Sequence, residues 1–182
     1  MLIGLTLLLL ISGFASSFLV KRYEVKFLKV LPLWFLDRIL KFATPERSLI
    51  DLTLFIFGFN SIAIFLYMCS GILIIGPYLI AFLTGMNIGI ILIEAPEIKP
   101  AKEPKAPSPF LLLTPVIVIL ELSVFCFALA MGMSMALELL KDYSWTNFLN
   151  LLIPRAITYL RFGPPLLLLS AILEAKVIKE VI

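Results

Sequence analysis

Four polar side chains lie inside long apolar stretches of the sequence, where their chemistry has to be accounted for. Glu121 lies within the stretch TPVIVILELSVFCFALAMGMSMA, residues 114–136. Asn60, Thr84 and Asn87 lie within two earlier apolar stretches. An ionisable group at the centre of a membrane-spanning helix costs about 3 kcal/mol by insertion scales, so such a group usually faces protein and marks a functional site.

The depth of these residues predicts that they meet. A helix rises about 1.5 Å per residue, so Glu121, Asn60 and Asn87 reach similar levels near the middle of their spans. An amide or a carboxyl without a hydrogen-bond partner is costly at that depth. We therefore predict one intramembrane polar cluster of Asn60, Asn87 and Glu121, with Thr84 as a further candidate.

Two interpretations of this cluster stay open. In the first, its hydrogen bonds hold the helices in register, in a medium that supplies no hydrophobic force between them. In the second, Glu121 gains and loses a proton, or contacts a substrate or a partner.

Catalytic chemistry has little support in the sequence. The chain has no histidine, which excludes histidine metal sites, histidine-based triads and imidazole proton relays. Cys69 and Cys126 both lie in apolar stretches, where packing is more common than a disulfide or a metal site. Nothing resembles a nucleophile elbow, an HExxH motif or a phosphate-binding loop. We expect no enzyme activity, no catalytic residue, no metal and no cofactor.

The composition is that of an integral membrane protein. Hydrophobic residues make up 62% of the 182 residues and charged residues 15%, whereas charged residues are about a quarter of a soluble protein. At about 20 residues per span, we predict an all-α bundle of about five transmembrane helices in a single domain, residues 1–182, with amphipathic interfacial segments. The predicted spans are residues 2–20, 50–70, 73–95, 110–138 and 156–177, the interfacial segments are 24–43 and 143–155, and 96–109 is an extended connection.

Small residues predict where helices approach each other closely. Gly85 and Gly89 have the GxxxG spacing that permits contact between backbones, and we expect them to pack inside the bundle. Ala128, Gly132 and Ala136 recur every four residues close to the helix face that carries Glu121. This stripe should therefore pack against another helix.

The last apolar run contains both helix-breaking and charged residues. Gly163, Pro164 and Pro165 predict a kink, because proline removes a backbone donor from the helix. Glu174 follows near the predicted inner interface, close to Lys176. A helix cap, an ion pair or a docking point is the expected role of this inner-interface acid.

Positive charge predicts the orientation and the partners. Twelve of the fifteen Lys and Arg residues fall on one side of the five predicted spans and three on the other. The positive-inside rule then predicts a multi-pass protein of the cell membrane, with the N-terminus outside and the C-terminus cytoplasmic. The net charge of +3 follows from this topology and indicates no nucleic-acid partner. The expected partners are the lipid bilayer and proteins of a membrane complex, and a homo-oligomer is left open.

Three stretches, in their order and spacing, resemble the stage II sporulation protein M family over about residues 50–178. The stretches are FGFNSIAIFLYMCSGILIIGPYLIAFLTGMNIGIIL, LTPVIVILELSVFCFALAMGMSM and LLLLSAILEAKVI. The positions that match the family pattern are Asn60, Gly71, Gly85, Gly89, Pro115, Glu121 and Glu174. The family's second Asn is Thr84 here, and the His and Gly after the family's proline are Val116 and Ile117.

The resemblance implies a noncatalytic membrane scaffold or assembly factor. In sporulating bacteria, the family member is implied to anchor a cell-wall-degrading complex during engulfment. The histidine of that motif is missing here, so the resemblance does not carry a role of the motif over to this chain. The alternative, drawn from the residues themselves, is a transporter or permease subunit that uses the midplane polar cluster around Glu121.

Overall fold

The computed structural model describes residues 1–44, 46–94 and 113–181, and within these ranges the chain is helical, with no β-strand. The helices are α1 (Leu2–Arg22), α2 (Lys26–Phe42), α3 (Leu49–Cys69), α4 (Gly76–Glu94), α5 (Thr114–Leu139) and α6 (Trp145–Val181), and a short 3-10 helix (Ser70–Leu73) follows α3. The predicted connection 96–109 lies outside the described residues.

Five of these helices are long and apolar enough to cross a membrane: α1, α3 with its 3-10 extension, α4, α5 and α6. In lipid every backbone polar group must be satisfied within the protein, which a continuous helix achieves. The prediction of an all-α membrane bundle with about five spans is thus confirmed.

Local signals explain where two of the spans begin. Ser48 and Asp51 form a capping box at the start of α3: the Ser48 hydroxyl accepts from the Asp51 backbone N–H at 3.0 Å, and the Asp51 carboxylate accepts from the Ser48 N–H at 3.2 Å. Pro115 occupies the first turn of α5, where its missing N–H has no intrahelical partner to lose.

In the turn between α3 and α4, the residue with a left-handed backbone is Ile74 and not one of the predicted helix breakers. The sequence predicts the turn in the segment GILIIGP, with Gly71, Gly76 and Pro77 as the helix breakers. The chain turns there, but the backbone with positive φ belongs to Ile74, at 55°. That conformation is unusual for a β-branched residue, so the surrounding helices hold Ile74 in it.

Glycines allow α1 and α4 to pack with their backbones close together. A Cβ atom on Gly85 would overlap the carbonyl of Leu10, and one on Gly89 would overlap the Ser17 side chain. On the other side, a Cβ atom on Gly13 would overlap the carbonyl of Phe82. Gly85 and Gly89 therefore pack inside the bundle against α1.

Helix α5 is the centre of the bundle and contacts α1, α3, α4 and α6. Its stripe of small residues is buried, with Ala128 at 0% and Ala136 at 1% exposure. A Cβ atom on Gly132 would lie only 2.7 Å from the carbonyl oxygen of Tyr67, at the end of α3. The stripe thus brings α5 close to α3, as its spacing indicates.

Helix α2 lies between two spans and carries charged and apolar side chains. The Lys29 ammonium pairs with the Glu94 carboxylate at 2.8 Å and with Glu24 at 3.3 Å, which fixes α2 to the end of α4. The hydrogen bond to Glu94 raises the pKa of Lys29, so this ion pair persists at alkaline pH. Phe27 and Trp34 are exposed on α2, as expected for a helix at a membrane interface.

Helix α6 differs from its prediction. Residues 143–155 are predicted as an interfacial segment and 156–177 as a separate span, but the structure joins most of both in the single helix Trp145–Val181. Pro154, Pro164 and Pro165 lie inside it. A proline inside a helix removes a hydrogen bond and crowds the carbonyl four residues earlier, but ending the helix would leave more backbone groups unpaired in lipid.

Gly163 in α6 leaves room for the side chain of Tyr159. The ring of Tyr159 lies where a Cβ atom of Gly163 would be, and Tyr159 is buried in the core with Ile64 and Leu167. A kink at Gly163, Pro164 and Pro165 stays a prediction.

The contact between α1 and α4 can be tested with one pair of variants. We expect Gly13→Ala to lower the free energy of unfolding by about 1–3 kcal/mol, the usual cost of overpacking. The control is Gly58→Ala, because a Cβ atom on Gly58 meets nothing within 4 Å. The measurement is reversible unfolding of the detergent-solubilised protein. Equal stability of the two variants would contradict this packing.

Candidate functional site

The polar centre of the bundle is a hydrogen bond between α3 and α5. The Asn60 side-chain amide donates to Glu121 Oε1 over 2.7 Å. Both side chains are only partly exposed. A carboxyl at this position has few alternative partners, so the bond fixes the register of α5 against α3.

A second carboxyl, that of Glu174 on α6, lines the same cavity as the Glu121 carboxyl. A short loop joins α5 to α6, so the two helices run antiparallel, and the start of α5 meets the end of α6. Glu121 comes seven residues after Thr114, and Glu174 seven residues before Val181, or about 10 Å along each helix. The two acids therefore lie at the same level.

The sequence analysis predicts Glu174 as an inner-interface acid and does not include it in the polar cluster. In the structure α6 continues to Val181, and Glu174 lines one cavity with Asn60 and Glu121. The structure thus brings Glu174 together with these two residues, and its place at the inner interface stays a prediction.

The two remaining residues of the predicted cluster lie elsewhere. The Thr84 hydroxyl donates to the Tyr67 hydroxyl over 3.0 Å. Asn87 is half-buried on α4, and no hydrogen bond joins it to Glu121 or Asn60. The physical reason is the glycine packing of α4, which holds this helix against α1 and leaves only slight contact with α3.

A cavity of about 180 Å³ adjoins the carboxyl pair. We call it the carboxyl cavity. It lies between α2, α3, α5 and α6, and its lining residues are Phe35, Ile39, Phe55, Ile56, Phe59, Asn60, Glu121, Phe125 and Glu174. Its walls are thus aromatic and aliphatic, and its polar groups are two carboxyls and one amide.

Helix α2 closes one side of this cavity, which the sequence analysis missed. Phe35 and Ile39 contribute to the wall, and the Phe35 ring contacts the Phe59 ring of α3 with centroids 4.3 Å apart. The sequence signal was present, because these apolar residues recur on one face of α2. An amphipathic pattern alone does not tell whether that face meets lipid or protein.

The carboxyl pair has no cationic partner in the parts of the chain that the structure describes. The ion pairs of Lys29, Lys41 and Arg155 join these residues to Glu24, Glu94, Asp37 and Glu138. Two adjacent carboxyls in apolar surroundings avoid being ionised together unless a positive charge compensates them. The arrangement can therefore share a proton or accept a cation.

Comparison with known proteins places this architecture. The sequence matches the family described as Stage II sporulation protein M over residues 5–177. The chain belongs to the stage II sporulation protein M family. This match confirms the resemblance drawn from residues 50–178 and extends it to α1 and α2. Neither a curated protein nor a solved structure gives a significant match to the chain.

The family match covers every residue of the carboxyl cavity, since these lie between Phe35 and Glu174. Asn60, Glu121 and Glu174 come from the three separate stretches on which the resemblance was based. In this member of the stage II sporulation protein M family, the three stretches meet in one place.

A double-mutant cycle tests the Asn60–Glu121 bond. Removing both side chains, in Asn60→Ala and Glu121→Ala, should show a coupling free energy of about 0.6–1.7 kcal/mol, the range found for hydrogen bonds between membrane helices. The control cycle pairs Glu121→Ala with Asn87→Ala, for which we expect additivity. The measurement is again the free energy of unfolding in detergent. Additivity in the first cycle, or coupling in the control, would contradict the structure.

Proposed function

We propose that this protein is a noncatalytic membrane scaffold or assembly factor that organises a membrane-bound complex. The observation that carries the proposal is membership of the stage II sporulation protein M family over nearly the whole bundle. A scaffold needs a rigid frame in the bilayer and a surface for partners, and the bundle offers both.

The partner surface that we propose is α2. Its basic residues Lys26, Arg38 and Lys41 are exposed. The Lys29–Glu94 ion pair and the Phe35–Phe59 contact hold the helix against the spans. A pre-positioned basic helix at the membrane surface loses little entropy on binding an acidic partner.

The orientation belongs to the same proposal. With the N-terminus outside, α2 and the end of α6 lie on the cytoplasmic side of the cell membrane, and the α5–α6 loop lies outside. The clustering of Lys and Arg supports this orientation.

Cysteine labelling tests the orientation. In a Cys69→Ala, Cys126→Ala background, we expect Lys141→Cys to react with a membrane-impermeant maleimide in intact cells. Glu46→Cys should react only after permeabilisation. Both positions are exposed, so accessibility within the protein does not distinguish them. The reverse pattern of labelling would overturn the orientation.

Affinity purification after crosslinking in cells tests the scaffold role. The wild-type protein should retain a defined partner in fixed stoichiometry. Recovery should fall about tenfold when Lys26, Arg38 and Lys41 are changed to Gln, because charge pairs across an interface contribute to association. The control is Lys141→Gln, an exposed change on the opposite side of the bundle. Absence of a stoichiometric partner would count against a scaffold.

The alternative of a transporter or permease subunit predicts a continuous polar pathway at Glu121. The carboxyl cavity is small and its walls are mainly phenylalanine and isoleucine. This geometry does not favour the alternative. Substrate flux into liposomes that contain only this protein would nevertheless revive it and contradict the scaffold proposal.

A further inference from the structure

The carboxyl cavity has the chemistry of a binding site for an organic cation. We propose that it binds the ammonium group of a small amine between Glu121 and Glu174, with the hydrocarbon part of the amine against the phenylalanine rings. This inference does not depend on the scaffold proposal.

Charge is the first step of the argument. Glu121 and Glu174 line one cavity, and neither takes part in the ion pairs of Lys29, Lys41 and Arg155. A cation between the two carboxyls would let both ionise and would gain a charge-assisted hydrogen bond from each.

A buried hydroxyl without a partner is the second, independent observation. Ser170 precedes Glu174 by one turn of α6 and has 0% exposure. Its Oγ lies beside Glu121 but makes no hydrogen bond of normal geometry. A buried hydroxyl is normally bonded. An ammonium group has three N–H donors, which the carboxyl oxygens of Glu121 and Glu174 in the cavity wall can accept. Ser170 does not line the cavity, but a cation that let Glu121 ionise would make the Glu121 carboxylate a stronger acceptor for the Ser170 hydroxyl.

The walls distinguish an organic ammonium from a bare metal ion. Phe35, Phe55, Phe59 and Phe125 line the cavity. Aromatic faces attract ammonium cations and also accommodate the attached carbon atoms. The volume of about 180 Å³ exceeds the roughly 150 Å³ that suffices for benzene in an engineered protein cavity. The space therefore fits a small alkylamine or the ethanolamine part of a lipid headgroup.

The position of α2 allows the ammonium group to come from either of two kinds of molecule. Its residues Phe35 and Ile39 face the cavity, while Trp34 is exposed beside them. An interfacial helix with this placement borders both lipid headgroups and water. The amine could thus belong to an aminophospholipid of the same leaflet or to a free amine, and the chemistry of recognition is the same.

Binding of labelled ethylammonium to the delipidated protein in maltoside micelles tests the free amine. The buffer is phosphate, because Tris is itself an amine. We expect saturable binding of one molecule per chain at pH 8. As the pH is lowered, the affinity for ethylammonium should fall by up to about tenfold per pH unit, wherever binding must displace a proton that the two carboxyls share.

Variants then locate the site. Glu121→Gln and Glu174→Gln should each weaken binding by about tenfold or more, as for buried charge pairs, while the Gln side chains preserve shape. Phe35→Leu should weaken it about two- to fivefold through loss of a cation–π contact. The control is Asp37→Asn, which removes an exposed acid on α2 outside the cavity. Circular dichroism and gel filtration verify that each variant is folded.

A lipid arm identifies the source. Native mass spectrometry would compare retention of phosphatidylethanolamine and phosphatidylglycerol by the wild type and Glu174→Gln. Selective retention of phosphatidylethanolamine that Glu174→Gln abolishes supports a lipid ammonium, and binding of ethylammonium alone supports a free amine. Folded wild type that binds neither, equal binding by the Gln variants, or displacement of ethylammonium by equimolar Na⁺ would each overturn the proposal.

Discussion

Placing carboxyl groups inside an apolar bundle is the constraint on which the arrangement of α3, α5 and α6 depends. Glu121 must find partners within the protein, because lipid offers none. It accepts a hydrogen bond from the Asn60 amide of α3 at 2.7 Å and lines one cavity with Glu174 of α6. These contacts tie three spans together at one level. Small residues make them reachable, since Gly132 and Ala128 let α5 lie close to its neighbours.

A second pair of helices, α1 and α4, is held together by close backbone packing at glycines and not by the carboxyl groups. Helices α1 and α4 approach through Gly13, Gly85 and Gly89, where a Cβ atom would overlap the other helix. Helix α2 connects this pair to α3: Lys29 pairs with Glu94 of α4, and Phe35 packs on Phe59 of α3. A partner that moved α2 would therefore act directly on the wall of the carboxyl cavity. Helix α2 has exposed residues on one side and lines the cavity of Glu121 and Glu174 on the other.

The sequence was sufficient for features that depend on composition and local spacing. The fold class, the number of spans and the small-residue contacts of Gly85, Gly89 and Gly132 all follow from the lipid environment and the helical period. It was insufficient where the result depends on which helices become neighbours. Asn87 has the right depth but lies on a helix that packs against α1, so depth alone misplaced it. Glu174 was left out of the cluster, because the sequence alone does not show that the end of α6 packs beside Asn60 and Glu121.

A signal for Glu174 was nevertheless present in its surroundings. Ala171 and Ala175 have 0% exposure and pack against Leu52 and Ile56 of α3. Small residues four apart mark a helix face that another helix approaches closely, and Glu174 directly precedes one of them. Glu121 also belongs to a helix with such a stripe. An acid on the same helix as small residues spaced four apart, on each of two antiparallel helices, is therefore a signal for neighbouring acids that depth alone does not give.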